Sequence, residues 1–276
     1  MNVWQVDFYK RPFKDERGEF VWELVVCNPE TKFVYEAKCP QSQANLAWLV
    51  DRLQHAAAGE LPLKIQVFRP QSLSLLTAAG EKLGIEVIPT RRTPDLKAEL
   101  LKRASEYNIS GQAYNPIKLE QSPPQPLPEN LWGEEWRFAS LPAGELVEMF
   151  RDRPIPILDM PESFWPVNLG VASNILIPGL IIYGGRRSMQ LARWLQEARL
   201  VSVKYIITEV GKSGGVVLEA GLVDRWILAT FEDSEVALSA QTFQQRKQAS
   251  SGLHFLLVQP DDSGMTFSGF WLLLEF

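Results

Sequence analysis

"VWQVDFYKRPFKDERGEFVWELVVCNPETKFVYEAK", residues 3–38, is the stretch on which the fold of the first half turns. It holds three runs rich in valine and aromatic residues, at 3–9, 20–27 and 32–38. The first two are joined through a polar segment containing Gly18, the second and third through "NPET" at 28–31. β-branched and aromatic residues suit a pleated, half-buried surface, and the glycine and proline turns fold the runs back, so three antiparallel strands are expected.

Working outward, residues 42–59 place Leu46, Leu49, Val50 and Leu53 on one helical face, with Ser42 to cap the start and Gly59 to end it. The pattern then alternates: strand 63–68, helix 72–84, strand 85–90, helix 93–107. Thr93 is placed to cap the last helix, with Pro94 at its first position. Three antiparallel strands followed by αβαβα describe a mixed sheet with crossover helices, the order of RNase H-like folds. The prolines of "NISGQAYNPIKLEQSPPQPLPEN" favour an extended connector, so the expected organisation is a domain over 1–107, a linker over 108–131 and a second domain over 132–276. The second half again runs strand 179–184, helix 188–198, strand 201–210, turn 211–215, strand 216–231, helix 233–250 and strands 253–260 and 265–276. The fold class is therefore α/β in both halves.

Net charge is −5, from 28 Lys and Arg against 33 Asp and Glu, which argues against a bulk cationic coat and confines any polyanion site to local clusters. Cys27 and Cys39 have no close cysteine or histidine neighbour, so neither a zinc cluster nor a disulfide framework is expected, and a reducing cytoplasm fits. The start of the chain alternates and is charged, unlike a secretory signal, and no apolar run approaches the ~20 residues of a membrane span.

In "YGGRRSMQLARWL" the helix is expected to start near Ser188, with Leu191, Trp194, Leu195 and Ala198 as its buried stripe. Arg186 and Arg187 then stand at the positive end of the helix dipole, where a cation costs about 0.3–1 kcal/mol. A phosphate held by the turn Gly184, Gly185 and Ser188 offsets this; so does a carboxylate of the chain itself, such as Asp159 or Glu162. Arg91 and Arg92 repeat that geometry after the fifth strand, and Lys10 and Arg11 form a third basic pair. With Trp132 and Trp136 these pairs suit single-stranded nucleic acid, which takes cations on its phosphates and aromatic faces on its bases, although any one tryptophan more often packs a core or a protein interface.

Catalytic patterns are incomplete. "GKSGG" at 211–215 lacks the first glycine of a P-loop and is followed by a strand, so it is expected to be a hairpin turn. Asp7 occupies the usual first metal-ligand position of an RNase H-like sheet and Asp51 is a possible second, but the fourth strand ends in Phe68, Arg69 and Pro70 with no acid. Pro29-Glu30 with Glu36 and Lys38 half echoes another nuclease pattern. His55, His254, Asp261 and Asp262 are expected to be structural, and no cofactor is indicated.

"WQVDFYKRP", "RGEFVWELVVCNP", "LPENLWGEEWRFASL", "PGLIIYGGRRSMQLARWL", "LEAGLVDRWILATFED" and "QPDDSGMTFSGFWLLLEF" together resemble the TAB/ATAB-type proteins of cyanobacteria and chloroplasts, over nearly the whole chain. The resemblance is to a compact cyanobacterial member without the transit extension of plant forms. It implies a non-enzymatic protein that binds the mRNA of photosystem subunits, notably of photosystem I. Such a protein activates translation during photosystem biogenesis, in the cytoplasm or at the thylakoid surface. Two alternatives stay beside it: a protein-binding photosystem assembly factor, and a metal-dependent nuclease.

Overall fold

The structure, a computed structural model, describes residues 2–107 and 114–275. The chain divides into two compact units, Met1–Glu120 and Gln121–Phe276.

In the first unit the opening stretch forms β1 (Val3–Lys14), β2 (Phe20–Asn28) and β3 (Phe33–Pro40). α1 (Leu46–Ala57), β4 (Lys64–Val67), α2 (Pro70–Leu83), β5 (Glu86–Pro89) and α3 (Pro94–Lys102) follow. The sheet order is β3-β2-β1-β4-β5, antiparallel across β3-β2-β1 and parallel across β1-β4-β5, which is the RNase H-like order expected. β1 is covered on both sides. Trp4, Val6 and Phe8 pack with Leu49 and Leu53 of α1 and Leu76 of α2. On the opposite side Val25, Cys27 and Phe68 pack with Leu96 and Leu100 of α3. Fully burying one such side chain is worth about 1.5–3 kcal/mol, so these two layers hold the sheet between the helices.

Cap chemistry departs from expectation at two helices. α1 is capped by Asn45, whose side chain accepts from the Trp48 amide at 3.0 Å, because Ser42 falls in a preceding 3-10 turn over Gln41–Gln43. Its end is Ala58, one residue before Gly59, at φ +47°. Thr93 does stand at the N-cap of α3 with Pro94 behind it, but its side chain makes no cap bond.

The expected 108–131 connector is not one extended segment among its described residues; 108–113 lie outside them. Ile117 and Leu119 pack on the α3 side of the first sheet. β6 (Gln125–Pro126) and the buried Leu127 and Leu131 belong to the second unit.

That unit continues with β7 (Glu135–Pro142), α4 (Ala143–Phe150), β8 (Ile157–Asp159), β9 (Leu176–Tyr183), α5 (Ser188–Ala198) and β10 (Leu200–Glu209). β11 (Ser213–Ala220), β12 (Asp224–Phe231), α6 (Ser234–Ala249), β13 (Leu253–Gln259) and β14 (Gly269–Leu274) complete it. The single strand expected over 216–231 is broken into β11 and β12 by a turn at Gly221, whose φ is +52°. Two sheets result, β10-β11-β12-β6 and β7-β9-β13-β14-β8. Leu256, Val258, Trp271 and Leu273 face α5, α6 and the smaller sheet, while Phe255, Leu257, Phe270 and Leu272 face α4. Burial on both faces is why "LHFLLVQ" and "GFWLLL" carry unbroken apolar runs instead of an alternating pattern.

Candidate functional site

On β1 the side chains of Asp7, Tyr9 and Arg11 share the α3-facing side, since residues two apart on a strand point the same way. Asp7, Arg11 and Glu23 are fully buried and Arg69 is 3% exposed. Arg69 Nε donates to Asp7 Oδ1 at 2.9 Å and Arg11 donates to Asp7 Oδ2 at 3.2 Å. Arg11 Nε donates to Glu23 Oε2 at 2.6 Å, and the Tyr107 hydroxyl donates to the same oxygen at 2.6 Å. Burial opposes the Arg11 charge, but Asp7 and Glu23 outweigh it and the guanidinium is held more firmly protonated than usual. Arg69 is further fixed by Pro116 O at 2.6 Å and lies 4.1 Å from the centre of the Tyr9 ring. Both oxygens of Asp7 are thus engaged by guanidinium groups where an RNase H-like metal site would place its cation.

The remaining acids of the nuclease patterns are drawn elsewhere. Glu36 pairs with Arg103, and Lys38 lies 3.4 Å from Glu23. Asp51 sits on α1, on the other side of the sheet, with Arg52 and His55. Among the described residues no three His, Cys, Asp or Glu side chains form a metal-holding group.

Arg11, expected at an RNA surface, is instead this buried structural cation, because its phase along β1 turns it inward while Lys10 turns outward over Phe20. Arg91 and Arg92 are half-buried; Lys97 Nζ donates to the Arg91 carbonyl at 2.5 Å and the Arg92 amide donates to Thr90 Oγ1 at 3.1 Å. Burial, then the neighbouring Arg91, push the Lys97 amine down to about 7.

In the second unit the expected residues do converge. Arg186 and Arg187 are exposed on a 3-10 turn, Gly185–Arg187, leading into α5. Among the described residues neither makes a side-chain hydrogen bond or ion pair. The proposed phosphate cradle beneath them is closed, however. The Gly184 and Gly185 amides donate to Gln259 O at 2.9 Å and Pro260 O at 3.0 Å, and buried Ser188 Oγ accepts from Ser268. Gly185, at φ +51°, has the Glu134 carboxylate against its α-carbon. The glycines therefore anchor the turn on β13 and leave anion contact to the arginine side chains.

Beside this turn the Glu134 amide donates to Tyr183 O at 2.7 Å, bringing Trp132 and Trp136 to the end of β9. Trp136 is half-buried, edge-on to Phe138 and near Phe231. Trp132 is 52% exposed, and its Nε1 donates to Leu127 O at 2.7 Å.

The residues that carried no chemistry in the sequence behave as expected. "GKSGG" is the β10–β11 hairpin turn. His254 is buried, accepting at Nε2 from the Val203 amide at 3.0 Å, with burial and then Lys247 holding its pKa well below the usual histidine value. Asp261 Oδ1 accepts from the Ser263 amide within its turn, at 3.0 Å. Glu23, Arg69 and Tyr107 were not singled out as partners; the available signal was a lone glutamate inside the apolar run "FVWELVVC", in phase with Arg11.

Fold and site define a two-unit α/β protein whose first sheet has RNase H-like order with its acid position locked by arginines, and whose second unit presents free arginines beside tryptophan. Residues 3–103 match the family model "RNA-binding protein Tab2/Atab2 N terminal", and residues 114–274 match "RNA-binding protein Tab2/Atab2, C-terminal domain". The chain belongs to the Tab2/Atab2 family of RNA-binding proteins. It is similar to the chloroplastic TAB2 homolog of Arabidopsis thaliana, 30% identical across all of this chain and 75% of that protein. The chloroplastic TAB2 homolog of Zea mays is 28% identical, across all of this chain and 72% of its own. Among solved structures, the magnesium-bound catalytic core of HTLV-2 integrase is 14% identical over 37% of this chain and 70% of that one, with a TM-score of 0.26. Among the described residues no helix is long and apolar enough to cross a membrane.

Proposed function

We propose that this protein binds single-stranded RNA and acts, without catalysing a reaction, as a translation activator or biogenesis factor for photosystem subunits. The observation that carries this is the match of both Tab2/Atab2 domain models, which together span nearly the whole chain. The Asp7 arrangement supports the non-catalytic part, since a divalent metal there has to displace two buried guanidinium groups. With net charge −5 the affinity rests on local cations and falls steeply with salt. The site of action is the soluble compartment in which the messages are translated, including the thylakoid surface.

The test is RNA co-purified with the tagged chain from a photosynthetic host, with and without nuclease treatment, beside incubation of the purified chain and labelled RNA with magnesium or manganese. The expected result is enrichment of photosystem messages and intact RNA. Partner proteins that stay bound after nuclease treatment in place of any RNA enrichment, or metal-dependent cleavage, overturn it.

A further inference from the structure

We propose that a cleft between Trp132 and the free edge of β12 receives one unpaired nucleobase of single-stranded RNA, with the adjoining phosphates on Arg186 and Arg187. The proposal rests on the RNA-binding function above and names its site.

The cleft has a volume of about 430 Å³ and is lined by Trp132, Trp136, Ile182, Leu228 and Thr230, with Glu135 at its rim. That volume is within the range of small-ligand sites, roughly 300–1,000 Å³. Trp132 is a fixed platform. Its indole N–H is tied to Leu127 O, Leu127 is buried, and Pro126 and Pro128 stiffen the backbone on either side. An exposed indole already held in place loses little freedom when a base stacks on it.

The opposite wall is unpaired backbone. β6 pairs only with Trp226 and Ile227, so the strand edge from Leu228 onward passes the cleft without a neighbour among the described residues. A bulge at Leu228 interrupts the β11 register there, which pairs Val217 with Ile227 and Val216 with Ala229.

Charge selects the occupant. Arg186 and Arg187 begin four residues beyond Ile182, on the strand end to which Glu134 is hydrogen-bonded. An apolar peptide added to the β12 edge leaves both cations unused; a nucleotide chain uses the aromatic face for its base and the cations for its phosphates. Glu135 only accepts hydrogen bonds, so it favours bases with an exocyclic amino group, cytosine above all, over uracil.

The test uses the full chain and fluorescent oligonucleotides of about twelve cytidines or uridines, followed by anisotropy and by mass-spectrometric mapping of photo-crosslinks. Trp132→Ala is expected to weaken cytidine binding about tenfold or more, while Trp132→Phe stays within about threefold of wild type. Glu135→Gln is expected to narrow the cytidine-over-uridine preference, and crosslinks are expected between Leu127 and Arg137. Circular dichroism confirms that each variant is folded, and Trp132→Phe controls for structural loss. Wild-type RNA binding that Trp132→Ala leaves unchanged, with crosslinks mapping elsewhere, refutes the cleft and leaves the RNA function standing. Absence of RNA binding in the wild type refutes both. Trp132-dependent binding of an apolar peptide that RNA does not displace assigns the cleft to protein and overturns the proposal.

Discussion

Arg69, the N-cap residue of α2, holds Asp7, in the middle of β1, through a 2.9 Å charge-assisted hydrogen bond inside a buried layer. Removing one member of such a pair leaves the other charged and dry, at a cost of about 3–5 kcal/mol, whereas replacing both with apolar groups is far less damaging. Asp7→Leu and Arg69→Met are therefore each expected to lower the urea midpoint sharply, and the double variant carrying both to cost less than the sum. Strict additivity in that cycle shows that the two residues are uncoupled.

Arg186 and Arg187 contact no acid among the described residues, so their loss falls on binding and not on folding. The double alanine variant is expected to melt within about 2 °C of wild type, consistent with small effects of exposed charges. Its plot of log affinity for single-stranded RNA against log salt is expected to flatten by about 1.4, or 0.7 for each phosphate contact removed. A stability loss with an unchanged slope assigns the pair to the fold.

Cys27 and Cys39 are buried, and burial lifts their thiols to about 12 and about 11. The thiolate is the reactive form. Native protein is expected to resist iodoacetamide near neutral pH and to take two labels in urea. Rapid native labelling contradicts the packing described for β2 and β3.

His254 and Lys97 each give stability a dependence on pH of defined sign. His254 titrates well below its ordinary value when folded, so as pH falls below about 6.5 the unfolded chain gains a proton that the folded chain does not, and stability drops. Lys97, lowered to about 7, binds fewer protons folded than unfolded between about pH 7 and 10.4, so its contribution improves as pH rises through that window. The slope is at most about 1.4 kcal/mol per pH unit. Lys247 is likewise lowered by burial, so Lys97→Met is expected to reduce the alkaline rise in urea-melt stability without abolishing it, and an unchanged pH profile rules Lys97 out as a contributor.

The N-terminal sheet was legible because turn residues and β-rich runs agree with the helical periodicity that follows them. β1 hid its inward charges: "DFYKR" looks like a surface strand end, yet Asp7 and Arg11 neutralise each other, and strand phase alone separates Arg11 from Lys10. In the second unit β7, α4 and β8 went unassigned because prolines such as Pro142, Pro154 and Pro156 punctuate a segment whose order comes from packing on β9 and β14. The arginines of the Gly184–Ser188 turn were recognisable from their place before a helix. The closure of its amides by Gln259 and Pro260 was not, since those partners lie more than seventy residues away.

The Asp7, Arg11, Glu23 and Arg69 arrangement also restrains the lineage that carries it. Asp7, Glu23, Arg11 and Arg69 offset one another in a buried layer, so a single exchange there leaves an uncompensated buried charge, at a cost of about 3–5 kcal/mol. The exposed rim of Trp132 and Arg186 is expected to accept exchanges one residue at a time, whereas this interior is expected to accept them only as coordinated replacements.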